Sequence, residues 1–442
     1  MFPAAPRLLR EGHRPLYLAA AVFTVIAIAL WGHWIGAGIG SPLLPTRAIG
    51  MDWHAHELIF GYGGAVMAGI FLANAPKGLG WIFFPALTLL WIAGRIAMAM
   101  SATLPAPLVA LIDLGFDLVV MARVAMPLFA SKLTQENYDT KLKTLGYISI
   151  FLLHFLSNFV MHLDWMGVWP GIASTGAMAG LMACATMNAA FGGQLTAALT
   201  RNAMVHAGET ALPRPMEGLD RWGPIFTALC VPAAFLPVRA FGAVLVLAGA
   251  TNLFRIMFWR SGWAFKNSAL LTGFHLAFMC LGLGLYAMGL SAVTAMQIFP
   301  GATHLLAIGA VAGLSMAVMM KTSLGRAGRP GHATGALKLA GAALILALVL
   351  RVSGEKEVVL MASAIFFAIA YAALAVGLAP ALLGPKKKPG EPGGRPLGHG
   401  HGHGKGEGEG DCSCGGHGEG QGGMQSCGLH QIRGLQGSCD HD

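Results

Sequence analysis

Apolar residues in this chain come in long unbroken runs rather than the alternating stretches of a half-buried strand. Each run is about 20 residues long, the length at which a helix crosses ~30 Å of hydrocarbon. Short segments with Pro, Gly and charge separate them. The pattern predicts transmembrane helices at about 14–36, 54–74, 79–100, 104–126, 144–163, 168–190, 222–237, 240–258, 267–290, 301–320, 333–351 and 356–383. The seventh and eighth divide at Leu236-Pro237, where proline and Arg239 mark a short turn. A membrane barrel would alternate, and in lipid only a helix satisfies its own backbone within one segment. The expected fold is therefore all-α: a polytopic bundle of about twelve transmembrane helices over 1–384, then a region of different character over 385–442.

Composition agrees. The chain is 55% hydrophobic and 11% charged, against roughly 25% charged in soluble domains, so most of it is built for lipid. The first run, from Pro15 to Ile35, is too long for a signal-peptide core and lacks a small-residue cleavage site. The formal charge of +9 is spread over short loops, which marks topology and gives no reason to expect a nucleic-acid partner. Alternate loops carry only Arg47, Arg239, Arg351 and Lys356, and the other loop Lys and Arg fall on the opposite side. The positive-inside rule then places both termini in the cytoplasm, with Lys386, Lys387 and Lys388 at the membrane surface.

From Pro385 glycine dominates and no apolar period survives, so the tail reads as disordered. It carries His399, His401 and His403 at alternate positions, then Cys412 and Cys414, with further His and Cys beyond. Imidazole and thiolate together suit Zn, Ni or Cu(I). The C-x₂-C pairs of structural zinc modules are absent, which favours metal collection or exchange with a donor or acceptor over a folded zinc domain. The bland alternative is a solvated low-complexity tail. Cytoplasmic cysteines do not suggest disulfides. Cys184, Cys230 and Cys280 lie in or beside spans and read as small core residues.

An ionisable residue inside a span is expensive, so it faces the interior and has a partner or a task. The second span opens Trp53-His54-Ala55-His56-Glu57. Histidines at i and i+2 point ~200° apart on a helix, so one ion cannot take both unless the helix is irregular. His54 and Glu57, at i and i+3, share a face. His304 and His162 fall at the same depth as this pair, so His54, His56, His162 and His304 form a candidate metal group, and Arg95 lies close by. Asp113 and Asp117, at i and i+4, need a cation or proton, and Arg95 is the obvious partner. His275 lies nearer the cytoplasmic side, and His154, mid-span, reads as a hydrogen-bonded core residue. Met316, Met319 and Met320 read as packing residues.

The run Met51-Asp52-Trp53-His54-Ala55-His56-Glu57-Leu58-Ile59-Phe60-Gly61-Tyr62 resembles the WHAHE-x-x-F-G signature of the NnrS family. Further marks occur in order: Arg14-Pro15, Trp91 through Arg95, Asp113 through Phe116, Thr200-Arg201-Asn202-Ala203, His275, His304 through Gly309, and Gly325 through Pro330. The resemblance implies a twelve-helix bacterial inner-membrane protein that binds haem and copper and is linked to nitric oxide stress. It implies His54, His56, His275 and His304 as haem or copper ligands, with Arg95 a candidate partner for a haem propionate; imidazole suits both metals. Two departures stand out. The family's G-G-R-x-I-P-x-F-T-R-N is here Gly192-Gly193-Gln194-Leu195-Thr196-Ala197-Ala198-Leu199-Thr200-Arg201-Asn202, and the histidine of its G-H-T-G-R-P is Arg326.

Two functions compete. One is a haem and copper protein that relieves nitrosative stress by binding or transforming nitric oxide or protecting metal centres; whether it turns over is left open. The other is a transition-metal transporter with the tail as collector, although no convincing inverted repeat supports it. His56-x-Leu58-x-x-Gly61 does resemble His304-x-Leu306-x-x-Gly309, but the second and tenth spans are not equivalent in a six-plus-six duplication.

Overall fold

The computed structural model describes residues 7–38, 43–48, 50–73, 82–129, 132–135, 137–294, 296–329, 334–392 and 394. The metal-binding tail expected from His399 onward lies outside them. The described residues form helices without strands. They are α1 (His13–Ala37), α2 (Met51–Leu72), α3 (Phe83–Ala99), α4 (Ala106–Phe129), α5 (Tyr138–Trp165) and α6 (173–206). After these come α7 (Glu217–Ala233), α8 (Val238–Met257), α9 (Ala269–Thr294), α10 (Phe299–Arg326), α11 (Gly335–Ser353) and α12 (Glu357–Leu382). Eight of them (α1, α2, α5 and α8–α12) are long and apolar enough to cross a membrane, and α3 is apolar but shorter. Each helix overlaps one of the predicted apolar runs. The Leu236-Pro237 turn stands where expected, with Pro237 leading into α8.

Two boundaries differ from the sequence pattern. Helix α6 continues to His206, well past residue 190, because Thr196 and Thr200 return their hydroxyls to the Gly192 and Thr196 carbonyls and keep a polar segment helical. A short unexpected helix, Ser261–Asn267, links α8 to α9. Arg260 enters it in the left-handed region at φ 59°.

The first and last membrane helices pack against each other, and Arg14 of α1 donates to the Leu382 carbonyl of α12 at 2.8 Å. Large apolar side chains such as Leu89, Leu111, Val358 and Val376 point outward, while histidines, carboxylates and arginines are buried. That inverted distribution suits a lipid exterior. Helices α8 and α9 approach through glycine. A Cβ added at Gly249 would lie 2.4 Å from the Tyr286 backbone nitrogen, and one at Gly289 2.6 Å from that of Val246.

Three helices contain π segments: Glu57–Gly63 in α2, Asn188–Gly192 in α6 and Leu305–Ala312 in α10. They recur every fourth helix. A π turn leaves a carbonyl outside the regular ladder, and in each case a side chain from another helix meets one. Trp91 Nε1 donates to Gly61 O at 2.9 Å, Arg255 to Ala189 O at 2.8 Å, and Tyr371 Oη lies 3.5 Å from Ala312 O.

Candidate metal centre

The first π segment begins directly after His56, so the WHAHE run straddles a change of helical pitch. His54 and His56 project to different neighbours, as their i, i+2 spacing requires. His56 is fully buried. Its Nδ1 lies 3.1 Å from Glu57 Oε1, and its Nε2 lies 3.1 Å from Asp113 Oδ2 and 3.0 Å from Asn158 Oδ1. His162 Nε2 is 3.0 Å from the same Asp113 oxygen, and Asn158 donates to it at 2.9 Å. Arg95 closes the cluster by donating to Glu57 Oε2 at 2.7 Å and to Asp113 Oδ1. Gly61 makes room for that guanidinium, since a Cβ there would sit 2.7 Å from an Arg95 nitrogen.

Formal charge decides what this arrangement can do. Glu57 and Asp113 carry two negative charges and Arg95 one positive, all buried. Uncompensated charge in such a place is costly, so the cluster needs one further positive charge: a proton on an imidazole or a metal cation. One ligand atom each from His56, Asp113 and His162 lies within 4.8 Å of the others. Two imidazoles and a carboxylate are a recognised set for Fe, Cu or Zn. Glu57, on the Nδ1 side of His56, would orient that ring from behind, while Asn158 sits against the ligand atoms themselves.

His54 belongs to a second group. Its ring stacks on Trp31 at 4.4 Å with the planes 18° apart, and His304 and Arg351 lie within electrostatic range. His304 Nδ1 donates to the Pro300 carbonyl at 2.8 Å, which fixes the ring and leaves Nε2 as the free ligand atom. The four histidines expected to converge thus separate into two pairs: His56 and His162, beside Arg95, and His54 and His304. Glu57 pairs with His56 and Arg95 rather than with His54.

His275 is also buried, but Thr200 Oγ1 lies 2.8 Å from its Nε2 and Ser261 Oγ 2.9 Å from its Nδ1. A metal there would have to displace one hydroxyl. His154 faces the Ile59 carbonyl at 3.3 Å and Asp117 at 3.4 Å. Arg255, at the end of the eighth predicted span, is buried. It pairs with Asp220 at 3.0 Å while meeting the α6 π segment. Its position near a span end hid this role. Asn158 escaped notice too, since a single amide in an apolar run gives no motif.

Fold and site together define an all-helical membrane protein with histidines and carboxylates gathered inside the bundle. The chain belongs to the NnrS family, whose family model matches residues 7–386. A search of curated proteins finds no match.

Proposed function

We propose that this chain is a haem- and copper-binding bacterial inner-membrane protein that relieves nitric oxide stress, by binding or transforming nitric oxide or by protecting metal centres. In this reading it crosses the membrane twelve times with both termini in the cytoplasm. The observation that carries it is the separation of the buried His56 and His162 from the half-buried His54 and His304, two groups with different surroundings. The His56–Asp113–His162 set, short of one positive charge, suits a copper ion. The His54–His304 group would suit haem: an imidazole from this group would hold the iron, and Arg351 would be within range of a propionate. When bound, ferrous haem or Cu(I) would supply a centre with affinity for nitric oxide. The chain's own residues orient the imidazoles, exclude water and balance charge. Nitric oxide partitions into lipid, so a buried centre needs no polar substrate channel.

The test is optical. Protein purified in detergent after haem- and copper-replete expression is expected to show a Soret band that shifts when nitric oxide is added under reducing conditions. A preparation without haem absorbance, or a band indifferent to nitric oxide, overturns the reading.

A further inference from the structure

Beyond the buried centre, α2 carries a line of polar groups toward the opposite end of the bundle. Its glycines create the space. A Cβ at Gly63 would lie 3.3 Å from Cys184 Sγ, and one at Gly64 3.5 Å from the His154 ring and 3.6 Å from Asp117. At Gly69 a Cβ would overlap the Tyr17 ring. Side chains from α1, α4, α5 and α6 therefore lie directly on the α2 backbone. From His56 to Gly69 this groove runs ~20 Å at the ordinary helical rise.

The groups along it are all able to take up and release a proton. Asp117 lies one turn below Asp113 on α4 and pairs with His154. Cys184 is next, within range of both His154 and Tyr62. Tyr62 is hydrogen-bonded to Tyr371 and faces Ser315. Tyr17 comes after it, near Tyr62 and directed at Thr322, with the His13 ring packed edge-on to it at 5.7 Å. His13 Nε2 lies 3.8 Å from Glu11, which is 37% exposed. Burial pushes the Glu11 carboxyl up, but the Arg14 hydrogen bond and the charges of His13, Arg14 and Arg326 hold it below its ordinary value.

A second observation points the same way. Tyr17 Oη, His13 Nδ1 and Ser323 Oγ are buried without a hydrogen-bond partner in the protein. Such atoms are held by internal water in native proteins. All but Ser323, the neighbour of Thr322, belong to the groups just named. Water held at these atoms would join the side chains into a file of the kind along which protons hop.

We propose that the file Asp117–His154–Cys184–Tyr62–Tyr17–His13–Glu11, with Tyr371 hydrogen-bonded to Tyr62 at its side, conducts protons between the His56–Asp113–His162 centre and the Glu11 end of the bundle. It supplies or removes the protons that charge changes at the centre require. The file is made of protein and water, so it exists whether or not a metal or haem is bound.

The thiol of Cys184, at the middle of the file, provides the test. Full-length protein in lipid is perfused with D₂O, and replacement of S–H by S–D is followed by infrared absorption, with Cys184→Ala assigning the band. Cys230, whose thiol is held on the Phe226 carbonyl away from the file, is the internal reference. Exchange at Cys184 is expected to be at least roughly tenfold faster than at Cys230, which waits for structural opening. Tyr17→Phe, or Tyr62→Phe as the second variant, is expected to slow Cys184 and leave Cys230 unchanged. Exchange at Cys184 as slow as at Cys230, or unmoved by both tyrosine variants, overturns the proposal.

Discussion

Arg95 binds Glu57 of α2 and Asp113 of α4 at once, so a single guanidinium ties three helices around the buried centre. Removing one partner of a buried ion pair costs ~3–5 kcal/mol, because the remaining charge has no water to return to. Arg95→Met is expected to lower stability by that order, measured by unfolding in mixed micelles. Asp113→Asn in the same background should recover part of the loss, since the two residues act as a unit. The ionisable members of this cluster were legible in the sequence because such a residue in an apolar run declares itself, whereas Asn158 was not. Which histidine joins which partner was not legible. His56, His162, His54 and His304 all lie near one end of their helices, and depth alone groups them. Only the lateral packing of α2 against α1, α4, α5 and α10 separates the two pairs.

At the scale of elements, helix existence followed from apolar length, whereas the interruptions inside helices did not. A π turn inserts an extra residue and rotates the later part of the helix by about 100° relative to an uninterrupted α-helix. Glu57–Gly63, Asn188–Gly192 and Leu305–Ala312 have no composition that announces such a turn, although each contains glycine. Their recurrence in α2, α6 and α10 gives the likeness of His56-x-Leu58-x-x-Gly61 to His304-x-Leu306-x-x-Gly309 a place that a six-plus-six duplication could not offer. Arg255→Met would leave Asp220 and the Ala189 carbonyl without their partner. It is expected to destabilise the α6–α7–α8 region by ~2–4 kcal/mol, seen as faster amide exchange there than in α1 or α12. Gly249→Ala places a methyl group against the α9 backbone. It should lower the thermal midpoint through overpacking of ~1–3 kcal/mol, while Gly262→Ala, in open space, leaves it nearly unchanged.

For the whole molecule, hydropathy gave the all-helical class and charge gave an orientation that a reporter can check. A fluorescent protein fused after Asp442, of a kind that matures only in the cytoplasm, is expected to be bright, and a periplasmic phosphatase at the same point inactive. The basic residues that set this expectation also have structural work. Arg14 and Arg329 cap the carbonyls of Leu382 and Pro380, and the Lys387 backbone donates to Ala327. The start of the region read as a disordered tail is thus joined to the end of α10, a contact that glycine-rich composition did not suggest.

The central claim is that the bundle holds two separate histidine sites with different occupants. Haem and copper content of purified wild type, His162→Ala and His304→Ala, measured on equal amounts of folded protein, tests it most directly. His162→Ala is expected to lose copper and keep haem, while His304→Ala loses haem and keeps copper. Wild type carrying neither, or both variants losing the same cofactor, would contradict it.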